Sequence, residues 1–231
     1  MTTIELGSVL VDVVRKEIKH IHLVVYPPDG RVRLTAPKRY SIDTLRVFTI
    51  HKLGWIQNQR RKMQAQEREP PREMIERESH QVWGVRRLLR VEWTCTAPIV
   101  ELRQRTIVLR VRPGTDTAKR EAVLQAWYRN ILREAVITLL PTWEKRLNVE
   151  VNHIFVQKMR TRWGSCNPVK GNIRLNTELA KKPLSCLEYV LVHEMIHLLE
   201  PRHGPAFHLL LDRNIPDWKN QRDLLNRLPV L

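Results

Sequence analysis

The chain has 231 residues, of which 42% are hydrophobic, and its formal net charge at pH 7 is +16. This length is enough to bury one large core or two small ones. No stretch approaches the roughly 18 consecutive apolar residues of a membrane-spanning helix, so the composition excludes that class and predicts a soluble protein with no membrane partner.

The cysteines and the N-terminus predict a cytoplasmic location. Cys95, Cys166 and Cys186 are odd in number and far apart, which argues against a disulfide framework or a zinc ribbon. The first residues lack the basic region and long apolar run of a secretory signal. The positive charge attracts polyanions and is compatible with DNA as a partner, but net charge does not locate a groove or fix an oligomeric state.

Residues 1–115 are predicted to form a β-rich domain with one basic helix. Residues 20–26 and 31–36 have the pattern of two strands around a Pro-Pro-Asp-Gly turn. Ser41 is expected to cap a helix that runs towards Arg68 and ends at Pro70-Pro71. Residues 82–93 and 100–111 then resemble the two strands of a hairpin.

Residues 116–231 are predicted to form a separate α+β domain, because the hydrophobic period changes near residue 114. Apolar residues recur at every fourth position from Val123 to Leu147, which predicts a long amphipathic helix, bent or broken around Pro141. Strands are expected at 153–159 and 172–176, the second as an edge strand on which an extended peptide could lie. From Ser185 the chain is predicted to be helical, beginning with a Ser-x-x-Glu capping box.

A metal-binding pattern lies within this last helical region. Residues 193–197 are His-Glu-Met-Ile-His, which is an H-E-x-x-H motif. Residues four apart on a helix are separated by about 6 Å along the axis and by only about 40° around it. His193 and His197 can therefore bind one cation, while Glu194 lies beside the metal and can accept a proton from an attacking water.

A third ligand is expected soon after the helix. His203 is the tenth residue after His193, and Pro201 with Gly204-Pro205 predicts a sharp turn that could bring it back to the metal. Catalytic zinc sites commonly use three protein ligands and leave one position open. Glu200, His208, Asp212 or a more distant acidic residue remain alternatives for this position.

Residues 153–231 resemble the bacterial YgjP-like zinc metallopeptidases, relatives of the SprT and Spartan group. The matching segments are Arg162-Trp163-Gly164-Ser165-Cys166, residues 171–176, residues 193–200, residues 202–207 and Ile215-Pro216-Asp217-Trp218. The resemblance implies a minimal zincin-like α+β catalytic domain with His193, His197 and His203 as zinc ligands and Glu194 as catalytic base.

The sequence therefore predicts a zinc-dependent peptidase that hydrolyses peptide bonds of a peptide or protein with a metal-activated water. The resemblance to the Spartan group, together with the charge, suggests substrates associated with nucleic acid. The alternative is a basic nucleic-acid-binding protein with a structural zinc site, which would normally show a fourth protein ligand. Arg160, Arg162, Arg174 and Tyr189 are candidates to stabilise the oxyanion, and the sequence does not select among them.

Overall fold

The computed structural model describes residues 2–26, 29–65 and 73–227, and the chain divides into two compact units between residues 68 and 69. The expected boundary at 115/116 lies inside the second unit. It was inferred from the change of hydrophobic period, and in the structure that change marks a junction between a strand and a helix rather than the end of a core. No described helix combines the length and the apolar character needed to cross a membrane.

The first unit is a four-stranded mixed sheet with two helices. Its elements are β1 (Thr2–Leu6), β2 (Val9–Lys16), β3 (His22–Tyr26), β4 (Arg31–Pro37), α1 (Ile42–His51) and α2 (Leu53–Ala65). The strand order is β1-β2-β4-β3, with β2 and β4 parallel and the other pairs antiparallel. Alternating residues of β2 and β4, such as Val11 and Leu34, pack with Leu45 and Ile56 of the helices in one core.

The predicted elements of the first unit are largely confirmed. The predicted strand pair forms β3 and β4, and the Ser41 side chain accepts a hydrogen bond from the Thr44 N–H as a helix cap. The single predicted helix is divided, because Lys52 ends α1 and α2 begins at the next residue. The proposed stop at Pro70-Pro71 lies outside the described residues.

The second unit contains two further sheets and the remaining helices. The first sheet contains β5 (Ser79–Val82), β6 (Val85–Trp93), β7 (Ile99–Leu102) and β8 (Thr106–Val111). Then follow α3 (Thr117–Leu147), β9 (His153–Gln157), β10 (Gly164–Asn167), β11 (Asn172–Asn176), a 3-10 helix (Thr177–Lys181), α4 (Leu184–Ile196), α5 (Pro205–Asn214) and α6 (Trp218–Arg227). One hydrophobic core joins the two sheets through α3 and α4. The predicted α+β fold class is confirmed.

The pairing of the predicted hairpin at 82–111 is wrong. The strand order is β5-β6-β8-β7, so β8 pairs in parallel with β6 and in antiparallel with β7. Alternation within a strand identifies which residues face the core but not which strand is the neighbour. The first unit has the same strand order and the same directions, so the topology occurs twice in the chain.

The predicted long helix is confirmed as α3, but its most buried face differs from the predicted one. Asp116 caps it through the Lys119 N–H, and the helix continues past Pro141 without a break. The most buried row begins with Leu124, Tyr128 and Leu132, one residue after the expected row. The expected row, which includes Trp127 and Ile131, is partly buried beside it, so both rows belong to the face that packs on the core.

The three-stranded sheet of β9, β10 and β11 differs from the prediction in its edge strands, and this difference affects the site. Its order is β10-β11-β9, so β11 is the central strand and not an edge. β10 was not predicted, because its sequence Gly-Ser-Cys-Asn has low strand propensity. It is nevertheless one of the two edge strands of this sheet, paired only with β11 among the described strands.

Candidate metal centre

α4 carries the first two histidines through the middle of the core. It begins at Leu184 after Pro183, and it buries residues on all sides, including Cys186, Leu187 and Val192. The predicted capping box is wrong, because Ser185 lies inside the helix and its hydroxyl donates to Gln221 Oε1 at 2.9 Å. A helix anchored in this way holds His193 and Glu194 on rigid backbone.

Three imidazoles meet at the end of α4. The possible ligand nitrogens of His193, His197 and His203 all lie within 4.8 Å of one another, and Nε2 of His193 is 3.0 Å from Nε2 of His203. Four-coordinate zinc with bonds of about 2.0–2.1 Å needs ligand nitrogens about 3.3 Å apart. The spacing of the three rings fits such an ion.

The turn after α4 brings His203 back to the helix. The Gly204 N–H donates to the Arg202 carbonyl at 2.8 Å, and α5 begins immediately afterwards at Pro205. Phe207, fully buried on α5, packs against all three rings with centroid distances of 4.9, 4.8 and 4.6 Å to His193, His197 and His203. The apolar support fixes the ring positions from one side.

The protonation of the rings also suits a metal. Burial, followed by repulsion from the neighbouring histidines, lowers the pKa of His193 to about 3. Burial likewise lowers the pKa of His203. His197 places Nδ1 3.2 Å from the Glu200 carbonyl oxygen, which leaves Nε2 available for a metal. Neutral imidazoles are the form that binds a cation, so the donor set fits a resident metal ion.

The other candidates for the third ligand are engaged elsewhere. The Glu200 carboxylate accepts the Arg202 N–H at 3.2 Å. The His208 ring stacks on Trp218 with centroids 5.5 Å apart, and Asp212 accepts the Trp218 indole N–H at 2.8 Å. In residues 2–26, 29–65 and 73–227, the group that could hold a metal contains the three histidines alone.

Glu194 lies beside the histidines in a space that a glycine provides. Its side chain is 6% exposed, and burial raises its pKa to about 7 against the opposing effect of the Arg162 guanidinium. A Cβ atom at Gly164 would lie 2.7 Å from Glu194 Oε1 and 2.8 Å from its Cγ. The absence of a side chain at 164 therefore allows β10 to pass directly over the carboxylate.

A cleft of about 240 Å³ opens next to Glu194 and His193. Residues from three segments line it: Arg162, Trp163 and Gly164 before and in β10; Tyr189 and Val190 on α4; and Arg222, Leu225 and Asn226 on α6. Of the four oxyanion candidates, Arg162 and Tyr189 line the cleft, whereas Arg174 packs over the Phe155 ring. Burial, with repulsion from Glu194, raises the pKa of the nearby Cys166 thiol to about 11, which makes it a packed thiol rather than a nucleophile.

The α6 residues of the cleft were missed by the sequence analysis. Trp218, Arg222 and Leu225 recur at helical spacing, which indicates one face of a helix but not what that face covers. Gly164 was noted only as a glycine that permits close approach. Its partner, Glu194, lies 30 residues further along the chain, so only the fold reveals the contact.

Solved structures and one protein family are similar to this chain. The chain resembles the metallopeptidase zymogen abylysin of Pyrococcus abyssi, with 17% identity and a TM-score of 0.38 over 42% of this chain and 99% of that one. It also resembles the zymogen jannalysin of Methanocaldococcus jannaschii, with 21% identity and a TM-score of 0.31 over 42% and 86% of the two chains. No curated protein matches the chain. The YgjP-like metallopeptidase domain model, however, matches residues 19–228, which confirms the resemblance over nearly the whole sequence: the chain belongs to the YgjP-like metallopeptidase family.

Proposed function

We propose that the chain is a zinc-dependent peptidase in which His193, His197 and His203 hold the metal. Membership of a metallopeptidase family implies a metal cofactor. The observation that carries the proposal is the convergence of three imidazoles beside a buried carboxylate. Three nitrogen donors with an open position are the usual ligand set of catalytic zinc. When bound, the zinc would supply Lewis acidity that polarises the scissile carbonyl and activates water.

Glu194 is proposed as the general base of the reaction. From its position beside the histidines its carboxylate accepts a proton from the attacking water and then donates that proton to the leaving amine. In the metal-free protein burial raises its pKa to about 7, which favours uptake of a proton by the carboxylate. The contact with Gly164 restricts where the carboxylate can point.

β10 is proposed to hold the substrate chain. The edge strand carries Gly164 over Glu194, and its outer edge has no strand partner among the described residues. An extended peptide paired with this edge would place a carbonyl near the metal centre with hydrogen bonds that do not depend on side chains. This role replaces the one predicted for β11.

The alternative of a structural zinc site is less well supported. A structural site normally has four protein ligands, and no fourth His, Cys, Asp or Glu joins the group within the described part of the chain. The cleft beside Glu194 also has no role in a structural site. The action on proteins associated with nucleic acid stays a prediction from the charge and the resemblance.

Metal analysis and peptide hydrolysis together test the proposal. We expect about one zinc per chain in purified protein, hydrolysis of unfolded protein substrates, and loss of hydrolysis on chelation with recovery on addition of zinc. The matched variant is Glu194→Gln, which keeps the shape of the side chain and should retain zinc but lose turnover. A folded, metal-free preparation with full activity would contradict the zinc site, and full activity of Glu194→Gln would remove the general base.

A further inference from the structure

The cleft beside Glu194 contains two guanidinium groups that the proposed hydrolysis does not use. Arg162 precedes β10 and Arg222 lies on α6, so the two charges enter the cleft from different elements. Each one acts on a different cleft residue. The Arg162 charge opposes the rise in the pKa of Glu194, and the Arg222 charge opposes the burial that raises the pKa of Tyr189 to about 12.

The backbone that carries Arg162 is held by a buried amide. Asn176 is fully buried, and its side-chain NH2 group donates to the carbonyls of Met159 and Arg162 at 2.9 and 2.8 Å. The Asn176 N–H also donates to the Trp163 carbonyl at 2.9 Å. These bonds fix the segment before β10, while the Arg162 guanidinium itself has neither an ion pair nor a hydrogen bond with another described residue.

Arg222 is also available for a ligand. Its guanidinium lies over the Trp218 ring at 5.0 Å, which orients the side chain. Its single acidic partner in the described part of the chain is the neighbouring Asp223, whose Oδ1 accepts from Nε and Nη2 at 3.3 Å each, and about half of each side chain is exposed. A long contact of this kind between exposed groups contributes little and leaves donors of the guanidinium free.

The rest of the cleft suits the aliphatic part of a substrate side chain. Val190, Leu225 and Trp163 line it, so the methylene groups of such a side chain would be buried against apolar surface. Because the cleft adjoins Glu194 and His193, a group bound in it belongs to a substrate residue next to the scissile bond. The lining thus combines apolar walls with two cationic donors.

We infer that this cleft is a specificity subsite for a carboxylate next to the scissile bond, with Arg162 and Arg222 as its recognition residues. This inference rests on the proposed peptidase function. A planar guanidinium can bind a carboxylate through two parallel hydrogen bonds, and two of them from different walls would select a carboxylate over a neutral amide of the same shape. The carboxylate is either an acidic side chain or the C-terminus of a peptide.

Matched peptides test the subsite. Cleavage sites in an unfolded protein are mapped first, and peptides are then made with Glu or Gln next to the scissile bond, each with a free or amidated C-terminus. We expect the carboxylate to raise kcat/KM about tenfold, as one charged hydrogen bond does in a binding site. A difference in kcat/KM between the Glu and Gln peptides would identify a side-chain carboxylate as the recognised group. A difference between the free and amidated peptides would identify the C-terminal carboxylate.

Arginine variants identify the residues responsible. Arg162→Gln and Arg222→Gln should each reduce the preference for the carboxylate peptide towards one, and Arg222→Glu should shift the preference towards a Lys peptide. Arg133→Gln, an exposed position on α3 away from the cleft, removes the same charge and should leave the preference unchanged. An equal loss in Arg133→Gln would overturn the subsite in favour of general charge attraction.

Binding separates this inference from the peptidase proposal. Glu194→Gln protein is titrated with the labelled peptides, with zinc present and after chelation, so that no hydrolysis is required. Tighter binding of the carboxylate peptide that Arg162→Gln and Arg222→Gln abolish supports the subsite, even if no peptide is cleaved. Equal binding and equal hydrolysis of the carboxylate and neutral peptides would overturn it while leaving the peptidase intact.

Discussion

Replacement of Gly164 by alanine is the sharpest test of the geometry around Glu194. The new methyl carbon would lie 2.7 Å from Glu194 Oε1, 2.8 Å from Cγ and 3.0 Å from Cδ. The first two distances are shorter than real contacts and the third is tighter than most, and Glu194, at 6% exposure, has little room to rotate away. Overpacking of this kind costs about 1–3 kcal/mol of folding free energy. Because the carboxylate must move, kcat should fall by about 100-fold or more.

A double-mutant cycle attributes the loss to this contact. In a Glu194→Ala background the space is free, so Gly164→Ala should cost close to nothing in stability there. Denaturant unfolding followed by tryptophan fluorescence measures the cycle. Of the 7 tryptophans only Trp55 belongs to the first unit, so the signal reports mainly on the second. Zinc content is measured in parallel, because the three histidines are expected to retain the metal.

Gly54→Ala serves as the matched control. Gly54 lies in α2, and a methyl group there would meet nothing within 4 Å. Alanine at this exposed helix position is expected to stabilise the first unit by up to about 1 kcal/mol, and to leave kcat and the tryptophan transition of the second unit unchanged. If Gly164→Ala retains wild-type stability and kcat, or costs the same in both backgrounds, the close packing of Gly164 on the carboxylate is refuted.

Three further predictions concern the metal, pH and charge. His203→Ala should lower zinc affinity by 100-fold or more in a chelator competition, whereas His208→Ala should not; the opposite result would exchange the third ligand. In metal-free protein the pKa of Glu194 is raised from 4.5 to about 7 by folding, so the folded state binds the proton of this carboxyl more tightly than the unfolded state. This contribution to the free energy of unfolding is complete below pH 4.5 and is lost as the pH rises through 7. Glu194→Gln should remove this loss of about 3 kcal/mol in urea unfolding at pH 5 and 8, and parallel pH dependences would contradict the assignment. DNA binding, if the charge of +16 serves it, should weaken steeply between 50 and 200 mM salt in fluorescence anisotropy; a flat dependence would exclude that role.

The histidine cluster could be predicted because its geometry is local. His193 and His197 are one helical turn apart, and His203 follows after a short turn marked by proline and glycine. Their relative positions depend on one helix and its end, which the sequence pattern describes well. The Ser185 cap was mispredicted for the complementary reason: its hydroxyl bonds to Gln221 on another helix, and a tertiary partner overrides a local motif.

Strand pairing could not be predicted, because the sequence of a strand does not specify which other strand lies next to it in the sheet. The parallel pairs β2–β4, β6–β8 and β9–β11 each join strands that are not consecutive along the chain. Alternation identified most of these strands but gave no information on their order. The strand order shared by the β1–β4 and β5–β8 sheets is for the same reason visible only in the structure. A short edge strand of low strand propensity such as β10 is harder still to predict, since its position is fixed by the helix and strand it packs against.

Within the proposed site, the residues placed by local sequence and the residues placed by the tertiary fold have different functions. The groups assigned to the chemistry, His193, Glu194 and His197, lie on α4 and its end, where the local sequence sets their geometry. The two arginines proposed to recognise the substrate, Arg162 and Arg222, come instead from the segment before β10 and from α6, about 60 residues apart in the chain. Substitutions of His193, Glu194 or His197 should therefore abolish turnover for every substrate, whereas substitutions at Arg162 or Arg222 should change which substrate is preferred. A relative with H-E-x-x-H but without these two arginines would be expected to hydrolyse peptides by the same chemistry with a different preference, which kcat/KM ratios on the Glu and Gln peptides would show directly.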